Sequence, residues 1–562
     1  MEAPTNRLRV FPCLEELFLR GCDKLTSAPS HFPSLQNLTI WQMDSWMPIA
    51  SIVSSQLTTL IHLEIKRIKG LTSVPEGMLK ANKNLAHLNI YNCSELTCIA
   101  PQGLVVESLQ SLRIRGCPKL RYLPDGLLHS LSLENLTIGD CENLESIPIP
   151  ENGGLPSLRT LRINGCPQLS SLPEGLQYCT SLRDLIIQEC SKITCIPITS
   201  KGLLSLRELT VEDCPELSSL PSGLGYCTSL QTLAIQRCSK ITCIPIASKG
   251  LPSLRQLWVS NCPELSSLPS GLGYCTSLQE LSIEECQKVT SISIDSLISL
   301  RSLTIGNVEC LSTLPVGFTS LRKLTIVGCK SKSPQFELRF CASLQILASL
   351  QDLSIINCPN LETIPSLDKL TSLRSLEIPR CFGLKCLPSG VASSSHCLSR
   401  LKTLCIGPFW AELDSFPTIQ VIPQLESLSL TGWPKLKSLP EQIQHFTSLT
   451  TLWVESFDGL EAVPEWLGNL ASLESLWIDD CKNVMYLPSV EAMHRLTKLN
   501  TLRISGCPLL KENCVEESGP EWPKIYHIPN LYRLVRRESE SIKKCPPIAK
   551  GINSSLLIEI CK

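Results

Sequence analysis

Thirty cysteines and eight histidines are the side chains here best suited to metal binding, redox chemistry or nucleophilic catalysis, and their spacing decides which is open. Fifteen cysteines recur at one place in a repeated pattern: Cys22, Cys93, Cys117, Cys141, Cys166, Cys190, Cys214, Cys238, Cys262, Cys286, Cys329, Cys358, Cys381, Cys481 and Cys507. In three successive later copies that place holds Phe409, Trp433 and Phe457, which can pack but cannot ligate. The slot is core, where a small thiol packs well and donates weakly. Cys98, Cys195, Cys243 and Cys386 form C-x4-C pairs with slot cysteines, a poor zinc spacing because one thiol points inward and the other falls on a loop. His62 and His87 share one slot in neighbouring copies; a metal pair or pH-sensitive contact is open to them, and two solvated strand residues is the plainer reading. The chain has no G-x-x-x-x-G-K-[ST], no G-x-S-x-G and no H-E-x-x-H, so the expectation is no enzyme, no cofactor and no metal. The N-x-[ST] matches at Asn37, Asn92 and Asn135 fall on or beside strands and are read as chance.

What must position these residues is a repeat. The form LxxLxIxxCxxL followed by xxLP, clearest at Leu158, Leu161, Ile163, Cys166, Leu169 and Pro173, occurs 21 times from Leu14 to Leu499 at about 24 residues per step, the period of leucine-rich repeats. LxL alternation makes a short strand with one face inward, and stacking the strands buries a continuous aliphatic ladder that no single copy could bury alone. The prolines leave little room for long helices on the other side. The expected fold is an α/β solenoid, a leucine-rich-repeat horseshoe of about 21 repeats with a concave parallel β-sheet and a convex side of loops and short helical turns. The expected division is a flank at 1–13, repeats at 14–514, a C-terminal cap at 515–532 and a poorly ordered tail at 533–562.

Composition removes other classes. With 51 Lys and Arg against 52 Asp and Glu the net charge is -1, so no global field favours nucleic acid or an anionic membrane. No run approaches a membrane span, and the opening MEAPTNRLRVFP lacks a signal-peptide core. The expected compartment is the cytosol, with passage to the nucleus as an extension, and the thiols are expected to stay reduced.

The strongest functional signal is a comparison of the chain with itself. Leu176–Gly223 and Leu224–Gly271 are tandem 48-residue copies that differ at 11 positions. Counting from each first leucine, the slots +1, +2, +4, +6 and +7 lie on and beside the strand, and eight of the ten such slots differ. The pairs are Arg183 and Gln231, Asp184 and Thr232, Ile186 and Ala234, Glu189 and Arg237, Glu208 and Gln256, Thr210 and Trp258, Glu212 and Ser260, and Asp213 and Asn261. Polar loop residues Ser191, Lys192, Thr194 and Lys201 are repeated unchanged, so exposure alone does not explain the contrast. Formal charge over the ten slots moves from -3 to +2: the scaffold is duplicated and its surface rewritten. Trp453 and Trp477, in the +4 slot of adjacent repeats and flanked by Glu455, Asp479 and Asp480, are candidate exposed anchors, with shielding of the sheet as the competing reading. Arg113, Arg115 and Arg162 form a weaker basic cluster.

Repeats reading GLPSLRxLxIxxCPxLSSLPxGL, as at Gly154–Leu176 and Gly250–Leu272, together with CPLLKENCVEESGPEWPKIYHIPNLY at Cys507–Tyr532, resemble the leucine-rich region of plant intracellular nucleotide-binding leucine-rich-repeat immune receptors of the coiled-coil class. The resemblance runs from about Leu14 to Tyr532. It implies a defence role and a protein partner: a pathogen effector, a guarded host protein, or a nucleotide-binding domain in cis or trans. The family's nucleotide-binding module is missing from the sequence, and a truncated receptor is the expectation. A general adaptor, such as a ubiquitin-ligase substrate receptor, is the alternative; it would call for an N-terminal helical box that the sequence does not display.

Overall fold

The computed structural model describes residues 11–532 except 23–31, 47–56, 75–78, 80–81, 100–105, 125–129, 152–153, 200–202, 247–249, 290–296, 308–319, 329–343, 345–346, 365, 389–390, 392–397, 409–418 and 434. The slot residues Cys329 and Phe409 and the tail 533–562 lie outside the described residues. The chain forms two compact units, residues 1–411 with 417–422 and residues 412–416 with 423–562.

The first unit begins with β1 (Glu16–Arg20), β2 (Asn37–Met43), β3 (His62–Ile68), β4 (His87–Tyr91), β5 (Ser111–Arg115) and β6 (Asn135–Gly139). It continues with β7 (Thr160–Asn164), β8 (Asp184–Gln188), β9 (Glu208–Glu212), β10 (Thr232–Gln236), β11 (Gln256–Ser260) and β12 (Glu280–Glu284). Its last strands are β13 (Ser302–Gly306), β14 (Lys323–Val327), β15 (Asp352–Ile356), β16 (Ser375–Pro379) and β17 (Thr403–Gly407). The second unit holds β18 (Ser427–Thr431), β19 (Thr451–Glu455), β20 (Ser475–Asp479), β21 (Thr501–Ser505) and β22 (Asn530–Tyr532). Within each unit every strand pairs in parallel with the next, slot against slot, so that Asp184, Glu208, Thr232 and Gln256 stand side by side. The solenoid expected from the repeat is the one formed.

The ladder follows the leucines. In the eighth repeat Leu182, Leu185, Ile187 and Cys190 are all fully buried, and each aliphatic side chain taken from water contributes about 1.5–3 kcal/mol. Slots +2, +4 and +6 stand on the open face of the sheet, seen as the alternating burial of β8, β9 and β11. Away from the sheet the chain is loop and single turns, with Pro173, Pro221, Pro440 and Pro464 starting one-turn 3-10 helices. Two short helices, α1 (Val490–Arg495, capped by the Ser489 hydroxyl) and α2 (Pro508–Asn513), belong to the second unit.

The +7 slot is a backbone device. Its residue has a positive φ in every repeat except the one containing Pro408, whether glycine, as at Gly165 and Gly506, or not, as at Glu189, Asp213, Arg237, Asn261 and Asp480. Such left-handed turns donate the N–H to the last strand carbonyl of the next repeat, as Glu189 does to Glu212 at 2.9 Å, Arg237 to Ser260 at 2.9 Å and Asp480 to Ser505 at 2.7 Å. The slot cysteine then donates its thiol to its own repeat's copy of that carbonyl, as Cys214 does to Glu212 at 3.4 Å and Cys238 to Gln236 at 3.3 Å. One carbonyl thus accepts twice, which satisfies a buried polar group at the edge of the ladder. Trp433 and Phe457 fill the same slot, fully buried, with ring centroids 5.8 Å apart.

Residues 515–532 add a strand beyond the sequence pattern. β22 extends the sheet next to β21, Ile525 and Ile528 are buried, and the Glu521 carboxylate accepts the Leu487 N–H at 2.7 Å while also taking the Lys524 ammonium at 2.7 Å.

Candidate functional site

On β8–β11 the rewritten side chains meet one another across the register. Ile186, Thr210, Ala234 and Trp258 form one row; Ala234 is covered, 2% exposed, between Thr210 and a half-buried Trp258. In the next row Asn164 donates to Gln188 at 3.3 Å, Gln188 donates to Glu212 at 2.6 Å, and Arg237 donates to Glu212 at 2.6 Å. Arg237 also grips Asp213 with two bonds of 2.6 Å, and those acids hold its guanidinium above its ordinary pKa, Asp213 foremost. Asp184 accepts from Thr160 at 3.2 Å, and Glu208 from Thr210 at 3.3 Å. The structure therefore brings Glu212, Asp213 and Arg237 into one clamp; Asp184, Ile186, Glu208, Thr210 and Trp258 remain at the open face, with Arg183 and Glu189 exposed at the ends of β8.

The tryptophans of the second unit are less open than the expectation of exposed anchors. Trp453 and Trp477 are register partners whose ring centroids lie 5.4 Å apart at 66°, edge to face. Trp477 is only 8% exposed, because Arg503, its partner on β21, lies 5.6 Å over its ring and pairs with Asp479 at 3.2 Å. Among the described residues neither indole N–H meets an acceptor. Asp479 is 4% exposed, whereas Glu455, half-buried, takes the Thr431 hydroxyl at 3.4 Å and Asp480 is exposed in its left-handed turn. Trp453, half-buried, with Glu455 and Asp480 forms the accessible part.

Slot +6 of the first five repeats holds a row that the sequence reading passed over: Arg20, Trp41, Lys66, Tyr91 and Arg115. Reading one slot down consecutive repeats would have found it. Arg115 is pinned to Asp140 at 2.6 Å, which raises its pKa. His62 and His87 stack, centroids 4.2 Å apart and 3° from parallel; burial first, then His62 and Arg113, lower the pKa of His87. Arg113 and Arg162 are exposed. Among the described residues no three His, Cys, Asp or Glu side chains gather as a metal site would require, and no helix is long and apolar enough to cross a membrane.

Comparison with known proteins follows the same lines. The family described as leucine-rich repeat region matches residues 166–433, R13L1/DRL21 LRRs match 435–507, and plant disease resistance protein RPS2-like, leucine-rich repeats, match 100–215. No curated protein matches the chain. Among solved structures, YopM from Yersinia enterocolitica is 20% identical over 83% of this chain and 91% of its own, TM-score 0.41. An LRR protein of Leptospira interrogans is 17% identical over 83% and 90%, TM-score 0.39, and a Listeria monocytogenes internalin is 23% identical over 50% and 76%, TM-score 0.35. The chain is a leucine-rich-repeat protein, and its repeats over residues 100–215 match those described for plant disease resistance protein RPS2-like proteins.

Proposed function

We propose that this chain is a non-enzymatic recognition scaffold of plant defence, acting in the cytosol and binding a protein through side chains on the open face of its sheets. The partner is a pathogen effector or a guarded host protein, with a nucleotide-binding domain in cis or trans as the intramolecular counterpart. One observation carries the reading: two tandem copies share ladder, register and turn geometry, yet differ at eight of ten slots on and beside the strands. Packing cannot require those differences, since the same backbone accepts both sets. Trp258, half-buried on that face, and Trp453 on the other unit supply aromatic contact area of the kind enriched at interface centres.

The experiment exchanges Asp184, Ile186, Glu208 and Thr210 for the Thr, Ala, Gln and Trp of the second copy and leaves the Arg237 clamp intact. Partners captured from elicited leaf extract are compared with wild type after circular dichroism shows equal folding. A changed partner set is expected, because reversed or removed charge and a new indole each alter complementarity by more than a surface substitution alters stability. An identical set, held with equal strength, refutes the reading.

A further inference from the structure

Five strands at the start of the first unit carry cations and aromatic rings in strict alternation. Arg20, Trp41, Lys66, Tyr91 and Arg115 are neighbours in register. The Arg20 guanidinium carbon lies 3.9 Å from the Trp41 ring centroid, and the Lys66 ammonium lies 4.9 Å from Trp41 and 5.9 Å from Tyr91. Rings attract cations by their quadrupole without cancelling the charge. A carboxylate would cancel it, and Arg115 has one in Asp140. Arg20, Lys66, Arg67 and Arg113 make no ion pair among the described residues. Glu64 is the one acid within β2–β5, set against Lys66, Arg67, Arg113 and Arg115, while Glu16 on β1 is engaged by the Asn37 amide at 2.9 Å.

The row is thus a set of cations held at fixed places by ring spacers, with their charge still available. We infer that it is a binding site for an acidic segment of a partner protein, laid across β1–β5. The faces of Trp41 are engaged by the chain's own Arg20 and Lys66, so they are closed to the base stacking by which single-stranded nucleic acid is held. Carboxylates need no ring face: they reach the outer N–H groups of Arg20, Lys66, Arg67 and Arg113 directly. Five strands span about 19 Å at ~4.8 Å each, the length of an extended segment of roughly six residues. The inference rests on the reading of the open face as a contact surface but uses no residue of β8–β11 or β19–β21.

The test measures fluorescence anisotropy of a labelled oligoglutamate peptide with the full chain at low and moderate salt. Binding that weakens with salt is expected. Lys66→Gln with Arg113→Gln should weaken it about 25-fold, from about fivefold per cation at water-like dielectric. Trp41→Leu, which keeps every charge and removes the brace, should weaken it about threefold. The four-residue exchange on β8 and β9 should leave it unchanged, so loss of this site and loss of the defence partner are read separately. No oligoglutamate binding by folded wild type overturns the inference, as does unchanged affinity in the Lys66 and Arg113 variant. Tighter binding of labelled oligothymidylate, abolished by Trp41→Leu, overturns it in favour of nucleic acid.

Discussion

Arg237 offers the sharpest test of how the open face is built. Arg237→Gln removes two bonds of 2.6 Å to Asp213 and one of 2.6 Å to Glu212. The side chains of Arg237, Glu212 and Asp213 are 37%, 22% and 33% exposed, between the fully solvated pair worth about 0.2–1 kcal/mol and the buried charge-assisted bond worth about 1.5–3 kcal/mol. A loss of about 1–1.5 kcal/mol follows, and it falls on the local opening that frees the Asp213 and Arg237 turn amides, now bonded to Gln236 at 3.0 Å and Ser260 at 2.9 Å. Hydrogen exchange read by mass spectrometry over 208–240 should accelerate about five- to tenfold, and less as salt is raised. Glu212→Ser with Asp213→Asn should produce nearly the same acceleration, and combining all three changes should add little, because the residues share one interaction. Arg255→Gln, a cation without an ion pair among the described residues, is the control and should change exchange by less than about twofold. Equal effects at Arg237 and Arg255, or additive effects of the acid and base changes, would show that the clamp holds nothing.

Further outcomes follow from other parts of the molecule. Burial pushes the thiol of Cys214 up to about 12 and that of Cys141 to about 11, whereas Cys13, Cys195, Cys243 and Cys386 are exposed; a native thiol titration at pH 8 should therefore show a fast exposed class, with Cys141 and Cys214 slower by about a hundredfold or more, since the thiolate is the reacting form. A single fast class containing Cys141 and Cys214 would mean that the core is open. Glu189 sits at φ 53°, so Glu189→Val should lower the thermal midpoint while Glu189→Gly and Glu189→Asn do not, a β-branched residue paying at least about 1–2 kcal/mol in the left-handed region; equal midpoints would remove the turn as a constraint. His87 should titrate below its ordinary value by NMR and move back toward it in His62→Gln, because burial and then His62 depress it. The unfolded state then binds that proton more tightly, so His87 subtracts stability as pH falls below its unfolded value near 6.5 and subtracts nothing above it; a His87 midpoint at or above the ordinary value contradicts the stacked geometry.

The fold was legible because its determinant is periodic. LxL with a small residue three positions beyond fixes strand, inward face and step, and 21 consecutive copies leave no other way to bury the leucines. The left-handed turn was not legible, since Glu189, Asp213, Arg237, Asn261, Gly165 and Asp480 share no side-chain chemistry. What they share is a backbone that must reverse sharply enough to send an N–H to the next repeat and drop a cysteine into the core. The extra strand β22 was hidden for a similar reason: Asn530–Tyr532 pairs with Thr501–Arg503 without the isoleucine and cysteine slots of a repeat, its partner chosen by Glu521 and Lys524 anchoring the chain at Leu487.

The candidate surface was half legible, and the missing half has one cause. Slots were read as independent positions, but a strand-face side chain stands about 4.8 Å from the same slot of the next repeat, so its neighbour decides whether it is available. Arg237 and Arg115 count as cations in the sequence, and each is spent on acids of an adjacent repeat. Trp477 counts as an exposed aromatic and lies beneath Arg503. Trp258 keeps much of its surface because its neighbours are Ala234 and Ser282, both too small to cover an indole. Arg20 and Lys66 keep their charge because what stands beside them is a ring. Duplication followed by change at single slots therefore alters two repeats at once: the contact offered by the new residue and the availability of the old residue beside it. A face built this way can shift its charge pattern from -3 to +2 between tandem copies while the ladder beneath it stays the same.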